Sequence, residues 1–124
     1  MKYACLIYYD DADPEINPGP SSPDFPAVMA GYIGFGEEAG SAIVAGEALN
    51  PTSTATSVQV RNGEVLTTDG PFAETKEQLG GFYILECENL DRAIALAAKI
   101  PHAATGTIEV RPIMEFSESG EPLS

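Results

Sequence analysis

Residues 68–81, TDGPFAETKEQLGG, gather side chains that could do chemistry into one polar stretch punctuated by Gly and Pro. Asp69 and Glu74 are carboxylates suited to general acid or base work if they are enclosed. Lys76 in the same stretch, and Arg111 much later, could orient an anionic or carbonyl oxygen. They stand out because cations are scarce: six Lys and Arg face nineteen Asp and Glu. Phe72 offers a ring that needs cover, and Glu47 is the lone acid in an apolar run over 42–49. Such an acid is ordinarily solvent-facing, but enclosed beside another titrating group it becomes a ligand-binding or acid–base residue. His102 is the only histidine. The residue type suits a general base, but nothing in the sequence fixes an acid beside it, so it reads as a surface histidine.

Two readings of 68–81 stand side by side. Pro71 fixes its own φ and disfavours helix at Gly70, so the chain turns rigidly, and Asp69 can accept backbone N–H groups at that turn. Residues 73–78 could then form one helical turn, with Thr75 and Gln78 as a capping box and Gly80-Gly81 as the stop. Taken this way the stretch is a structural corner whose polar groups satisfy one another. Alternatively it is a site, because loops held by a rigid scaffold concentrate function.

The run Asp69-Gly70-Pro71-Phe72-Ala73-Glu74-Thr75-Lys76-Glu77 resembles the signature of the DGPF proteins, a branch of the YCII-related family. The similarity continues through Gly80-Gly81-Phe82-Tyr83-Ile84 and Glu109-Val110-Arg111-Pro112, covering most of the chain from about Gly46 onward. The resemblance implies an α+β, ferredoxin-like fold of the dimeric α/β barrel type, and hence a homodimer. Some YCII relatives are thought to use a His–Asp pair with the His near the first helix; here the only His is His102, so that pair does not carry over. Relatives also include proposed lyases of small ring compounds. The implied function is a small enzyme acting by acid/base chemistry on a small organic acid or phenolic compound, in a pocket at the dimer interface lined by the 68–81 loop. The alternative is a non-catalytic, ligand-binding or regulatory dimeric module.

Composition narrows the partners. A chain of 124 residues fits one domain, expected over 1–116 with a frayed tail at 117–124. A formal charge of −13 repels phosphate backbones and anionic lipid alike, so no nucleic acid and no membrane partner is expected. The apolar run at 4–9 is too short for a signal peptide or a span, which points to a cytoplasmic protein. Cys5 and Cys87 lie in apolar patterns without CxxC spacing and read as reduced core residues. No cofactor motif is present, and no metal site is expected. Residues 11–15 approach a calcium loop but put Ile16 at the sixth position and no Glu at the twelfth.

The elements that must position these groups follow from periodicity. Residues 2–9 are apolar on both alternating faces, as a central strand would be. Residues 10–23, acidic and rich in Pro, read as a mobile loop and invite a lid role. Over 24–40, Phe25, Val28, Met29, Tyr32, Ile33 and Phe35 recur at helical spacing behind an Asp24 N-cap, with Gly31, Gly34 and Gly36 allowing close approach to a sheet. That aromatic stripe reads as core. A strand at 42–49 and a hairpin at 55–68 around Asn62-Gly63 come next, then a strand at 82–88. A helix capped by Asn89 or Asp91 precedes Pro101, and a last strand spans 107–116. The pattern predicts both helices on one face of the sheet and an inserted hairpin. The other face stays apolar, and a second copy of the chain is its simplest cover.

Overall fold

Strand β1, Lys2–Tyr9, runs through the middle of the sheet in the computed structural model, which describes residues 1–123. Helix α1 (Phe25–Ala39) and strand β2 (Ile43–Ala48) follow, then a hairpin of β3 (Thr56–Arg61) and β4 (Glu64–Asp69). Strand β5 (Gln78–Glu86), helix α2 (Leu90–Ala97) and strand β6 (Thr107–Pro112) complete the domain. The four long strands pair antiparallel in the order β2-β5-β1-β6, while β3 and β4 pair only with each other. The architecture is α+β: two helices, a four-stranded antiparallel sheet and added hairpins.

Alternation along β1 divides the sheet into two faces. Tyr3, Cys5, Ile7 and Tyr9 are buried and pack with Phe35 and Ala39 of α1 and Ala93, Leu96 and Ala97 of α2, so both helices cover one face. Leu85, Leu96, Ile100 and Cys5 are the largest fully buried side chains. Burying a Leu or Ile fully contributes about 1.5–3 kcal/mol. On the opposite face Ala4, Leu6 and Tyr8 remain half-exposed beside Ile84 and Phe82, their partners or neighbours in register.

Local chemistry sets the element ends. Asn89 accepts the Arg92 N–H at 2.9 Å and caps α2. Asp24 makes no such bond, because its own backbone is already helical. At the hairpin, Asn62 and Gly63 both take positive φ (53° and 78°), the geometry that a tight turn between right-twisted strands requires. Of the α1 glycines, only Gly31 meets a close neighbour, the Pro101 ring; Gly34 and Gly36 face open space.

Three expected segments fold differently. No helical turn forms at 73–78. Thr75 Oγ1 instead donates to the Glu77 carbonyl and Gln78 Nε2 to the Thr75 carbonyl, and β5 begins at Gln78 and runs through Gly80-Gly81. The acidic loop 10–23 is pinned by hydrogen bonds to distant residues: the Asp11 N–H to Gln78, the Thr52 N–H to Asp11, and His102 to the Ile16 carbonyl. Beyond Phe116 the chain turns back, with β7 (Glu115–Phe116) pairing β8 (Pro122–Leu123) where a frayed tail is expected; residue 124 lies outside the described residues. No helix among the described residues is long and apolar enough to cross a membrane.

Candidate functional site

A cavity of about 390 Å³ opens between α1 and the sheet, within the range of small-molecule pockets. Two glycines make room for its aromatic wall. A Cβ on Gly80 would fall 2.3 Å from the Tyr9 ring, and one on Gly46 would fall 2.5 Å from the Tyr83 ring. Carbon atoms in contact sit about 3.5–4.0 Å apart, so no larger residue fits at either place while the rings stay put. The Tyr9 ring in turn stacks on His102, with centroids 3.9 Å apart and planes 16° from parallel. Tyr83 packs against Phe35 of α1, with centroids at 4.9 Å.

His102 is therefore not a surface histidine. It is 6% exposed, held in a short 3-10 turn (Pro101–Ala103) that follows α2. Its Nε2 lies 3.0 Å from the Ile16 carbonyl and its Nδ1 2.5 Å from the Tyr32 hydroxyl. A carbonyl can only accept, so Nε2 carries the hydrogen. In the neutral ring Nδ1 is then the acceptor, and the Tyr32 hydroxyl donates to it. Sequence pattern could not find this pair, because Tyr32 and His102 lie 70 positions apart and meet only once α1 crosses the turn after α2.

All three cavity phenols titrate above the usual tyrosine range. Burial is the main cause for Tyr32, with the Tyr9 and Tyr83 phenols adding to it and a hydrogen bond with the His102 backbone opposing it. Burial raises Tyr9, helped by the Asp11 charge, and burial raises Tyr83. The phenols are thus neutral at physiological pH and act as donors. Among the described residues neither the Tyr9 nor the Tyr83 hydroxyl has a hydrogen-bond partner. Among the described residues no Lys or Arg lines the cavity.

The residues singled out in the sequence are distributed differently. Asp69 ends β4 opposite Thr56, and with Phe72 and Glu74 it stands exposed and outside this cavity; the Phe72 ring is 87% exposed. The corner itself is well made. Gly70 sits at φ 95°, its N–H donates to the Ala55 carbonyl at 2.7 Å, and its carbonyl accepts from Ser57. Lys76 lines a different hollow of about 740 Å³ with Asp10, Thr75, Glu77, Gln78 and Thr105. Arg111, opposite Ala4 in register, lies on the helix-free face and reaches Glu109 at 3.6 Å. Glu47 alone borders the aromatic cavity, but its side chain is exposed, and its register opposite Phe82 puts it on the helix-free side. The single chain therefore does not bring Asp69, Lys76 and Arg111 to one enclosure. The stripe on α1 is only partly core as well. Phe35 is buried, Phe25, Val28, Met29 and Tyr32 line the cavity, and Ile33 faces solvent.

Residues 1–117 match the YCII-related domain. The chain belongs to the YCII-related family. An uncharacterised protein of Rhizobium meliloti (strain 1021) is 43% identical over 76 residues, which span 60% of this YCII-related chain and 61% of that relative, under two thirds of its length. Among solved structures, the 5-chloro-2-hydroxyhydroquinone dehydrochlorinase of Burkholderia phenoliruptrix AC1100, in complex with 2,5-dihydroxybenzoquinone, is similar across 98% of this chain and 100% of that one. The identity is 12% and the TM-score 0.50, which speaks to fold alone.

Proposed function

We propose that this YCII-related protein is a small enzyme whose aromatic cavity binds an uncharged, hydroxylated ring and whose Tyr32–His102 pair takes a proton from it. The observation that carries this reading is the 2.5 Å hydrogen bond from Tyr32 to Nδ1 of a buried histidine at the cavity wall. With its hydrogen committed to Nδ1, the Tyr32 oxygen has lone pairs left for a ligand hydroxyl. As the ligand proton passes to Tyr32, the Tyr32 proton passes to Nδ1. The products are a ligand oxyanion and an imidazolium, and no free phenolate is left on a tyrosine that burial keeps protonated. The imidazolium keeps its Nε2–H on the Ile16 carbonyl and its face against Tyr9, a favourable cation–π placement. The neutral Tyr9 and Tyr83 hydroxyls remain available to donate to the developing oxyanion.

A lining without Lys or Arg, in a chain of formal charge −13, favours a neutral phenol over an organic acid. Flat rings suit a wall of three tyrosines, and the structural neighbour acts on a hydroxylated ring of this kind. Binding of hydroquinone and of 4-hydroxybenzoate to the purified protein tests the reading. The neutral ring is expected to bind at least about tenfold tighter, the equivalent of about 1.4 kcal/mol. Turnover of di- and trihydroxylated benzenes should fall in Tyr32→Phe and persist in Asp69→Asn and Glu74→Gln. Preference for the carboxylated ring, or activity indifferent to Tyr32, would sink it. Binding with no turnover of any ring would favour the non-catalytic module instead.

The DGPF signature at 69–77 supports a place in that branch of the family, with a ferredoxin-like sheet of the dimeric α/β barrel type. A homodimer suits the apolar surface that one chain leaves uncovered: the half-exposed Leu6, Phe82 and Ile84 of the helix-free face, and Val58, Val60, Val65 and Phe72 on and beside the hairpin. Sedimentation at micromolar concentration is expected to give twice the chain mass, and a compact monomer would end this part of the proposal.

A further inference from the structure

The Tyr32–His102 relay proposed above works in one direction only if the imidazole presents a bare Nδ1 to the tyrosine. A neutral imidazole can place its hydrogen on either nitrogen, and the partner of the second nitrogen decides which. Here that partner is the Ile16 carbonyl, and it belongs to the acidic loop that follows β1. Within the loop Ile16 packs against the core and Pro18 is buried, and the loop backbone arrives within 3.0 Å of Nε2.

Asp11 fixes the loop's direction by hydrogen bonds to distant elements. One Asp11 carboxylate oxygen accepts the Thr52 N–H at 2.8 Å, fixing the loop to the turn beyond β2. The Asp11 N–H donates to the Gln78 side chain at 3.0 Å, fixing it to the start of β5. The Asp11 carbonyl accepts from Asn17 Nδ2 at 3.0 Å, closing the loop on itself one residue beyond Ile16. The Ile16 and Asn17 N–H groups both bond back to the Asp13 carbonyl, at 3.1 and 2.8 Å, so the Ile16 peptide has little freedom to turn. A carboxylate accepting a backbone N–H makes the stronger, charge-assisted type of bond, and this one bridges 41 positions of sequence. Asn17 and the adjoining Pro18 also line the cavity, so the same brace shapes its wall.

We infer that Asp11 is a positioning residue for His102. By tying the 11–17 loop to Thr52 and Gln78, it holds the Ile16 carbonyl on Nε2 and thereby keeps Nδ1 free to accept from Tyr32. The inference rests on the Tyr32–His102 pair described above, but it concerns where a hydrogen sits and can be read without any substrate.

Nitrogen-15 NMR of the His102 ring provides the test. In the unmodified protein at neutral pH the ring is expected to carry its hydrogen on Nε2, with that hydrogen protected from solvent exchange. Asp11→Ala removes the acceptor for Thr52 and should accelerate exchange of the Nε2 hydrogen about tenfold, the effect of losing one ordinary hydrogen bond. Asp11→Asn keeps an oxygen in the same place and should restore most of the protection. Thr52→Pro deletes the bonded N–H at the first position of a 3-10 turn, where proline is tolerated, and should reproduce Asp11→Ala with every loop side chain intact. A folded control spectrum accompanies each variant; if Asp11→Ala fails to fold, Thr52→Pro carries the test. A hydrogen found on Nδ1 in the unmodified protein would overturn the inference, as would unchanged exchange in folded Asp11→Ala or in Thr52→Pro. Absence of turnover in an unmodified protein that shows the expected, protected Nε2 hydrogen would count against the catalytic reading alone.

Discussion

Replacing Tyr32 by Phe removes one oxygen and leaves the ring, so the cost comes from the hydrogen bond with almost no cavity contribution. His102 is nearly inaccessible, and Nδ1 has the Tyr32 hydroxyl as its partner at 2.5 Å. A buried acceptor stripped of its donor costs about 1–3 kcal/mol. For a chain of this size each kcal/mol moves Tm by about 4 °C. Urea unfolding followed by circular dichroism should therefore show a lower midpoint at an unchanged slope, since the surface exposed on unfolding is the same. Tyr3→Phe is the control: Tyr3 is more deeply buried than Tyr32, but its hydroxyl meets only the Met1 sulfur at 3.7 Å, a weak acceptor, and the loss should stay within about 0.5 kcal/mol. If the two variants unfold at the same urea concentration, the Tyr32–His102 bond does not hold the energy assigned to it, and the proton-transfer reading loses its basis.

Two further outcomes follow from the same packing. Gly80→Ala pushes a methyl against a Tyr9 ring already backed by His102, and should cost about 1–3 kcal/mol and weaken ring binding; Gly34→Ala, in open space on α1, should be neutral or stabilise by up to about 1 kcal/mol, both read by urea unfolding. Burial, with a smaller contribution from Cys87, pushes the Cys5 thiol up to about 11 from an ordinary value of 9.0. The native chain then holds that proton more tightly than the unfolded chain does. Stability from this group is whole below pH 9.0 and is lost as pH rises towards about 11, with the buried phenols adding loss in the same direction. Unfolding midpoints measured from pH 8 upward should fall across that window, and native Cys5 should resist alkylation at neutral pH.

Much of the fold was legible in residues alone, because the determinants are local or periodic. The two-sided apolar pattern of 2–9 marks a central strand, Asn62-Gly63 fixes the hairpin through its positive φ values, and Asn89 caps α2 with its own side chain. The run at 69–77 makes a corner whose Gly70 conformation is local, while its hydrogen bonds reach across the hairpin to Ala55 and Ser57. The cavity was not legible. Tyr9, Tyr32, Tyr83 and His102 come from two strands, a helix and a turn, and each reads separately as core or surface. Their meeting depends on Gly46 and Gly80 leaving space for rings carried by other strands, and on a loop carbonyl delivered to His102 by Asp11. Local propensity and period belong to the sequence. Which buried groups become partners is decided by packing between elements far apart in the chain, and only the tertiary structure holds that information.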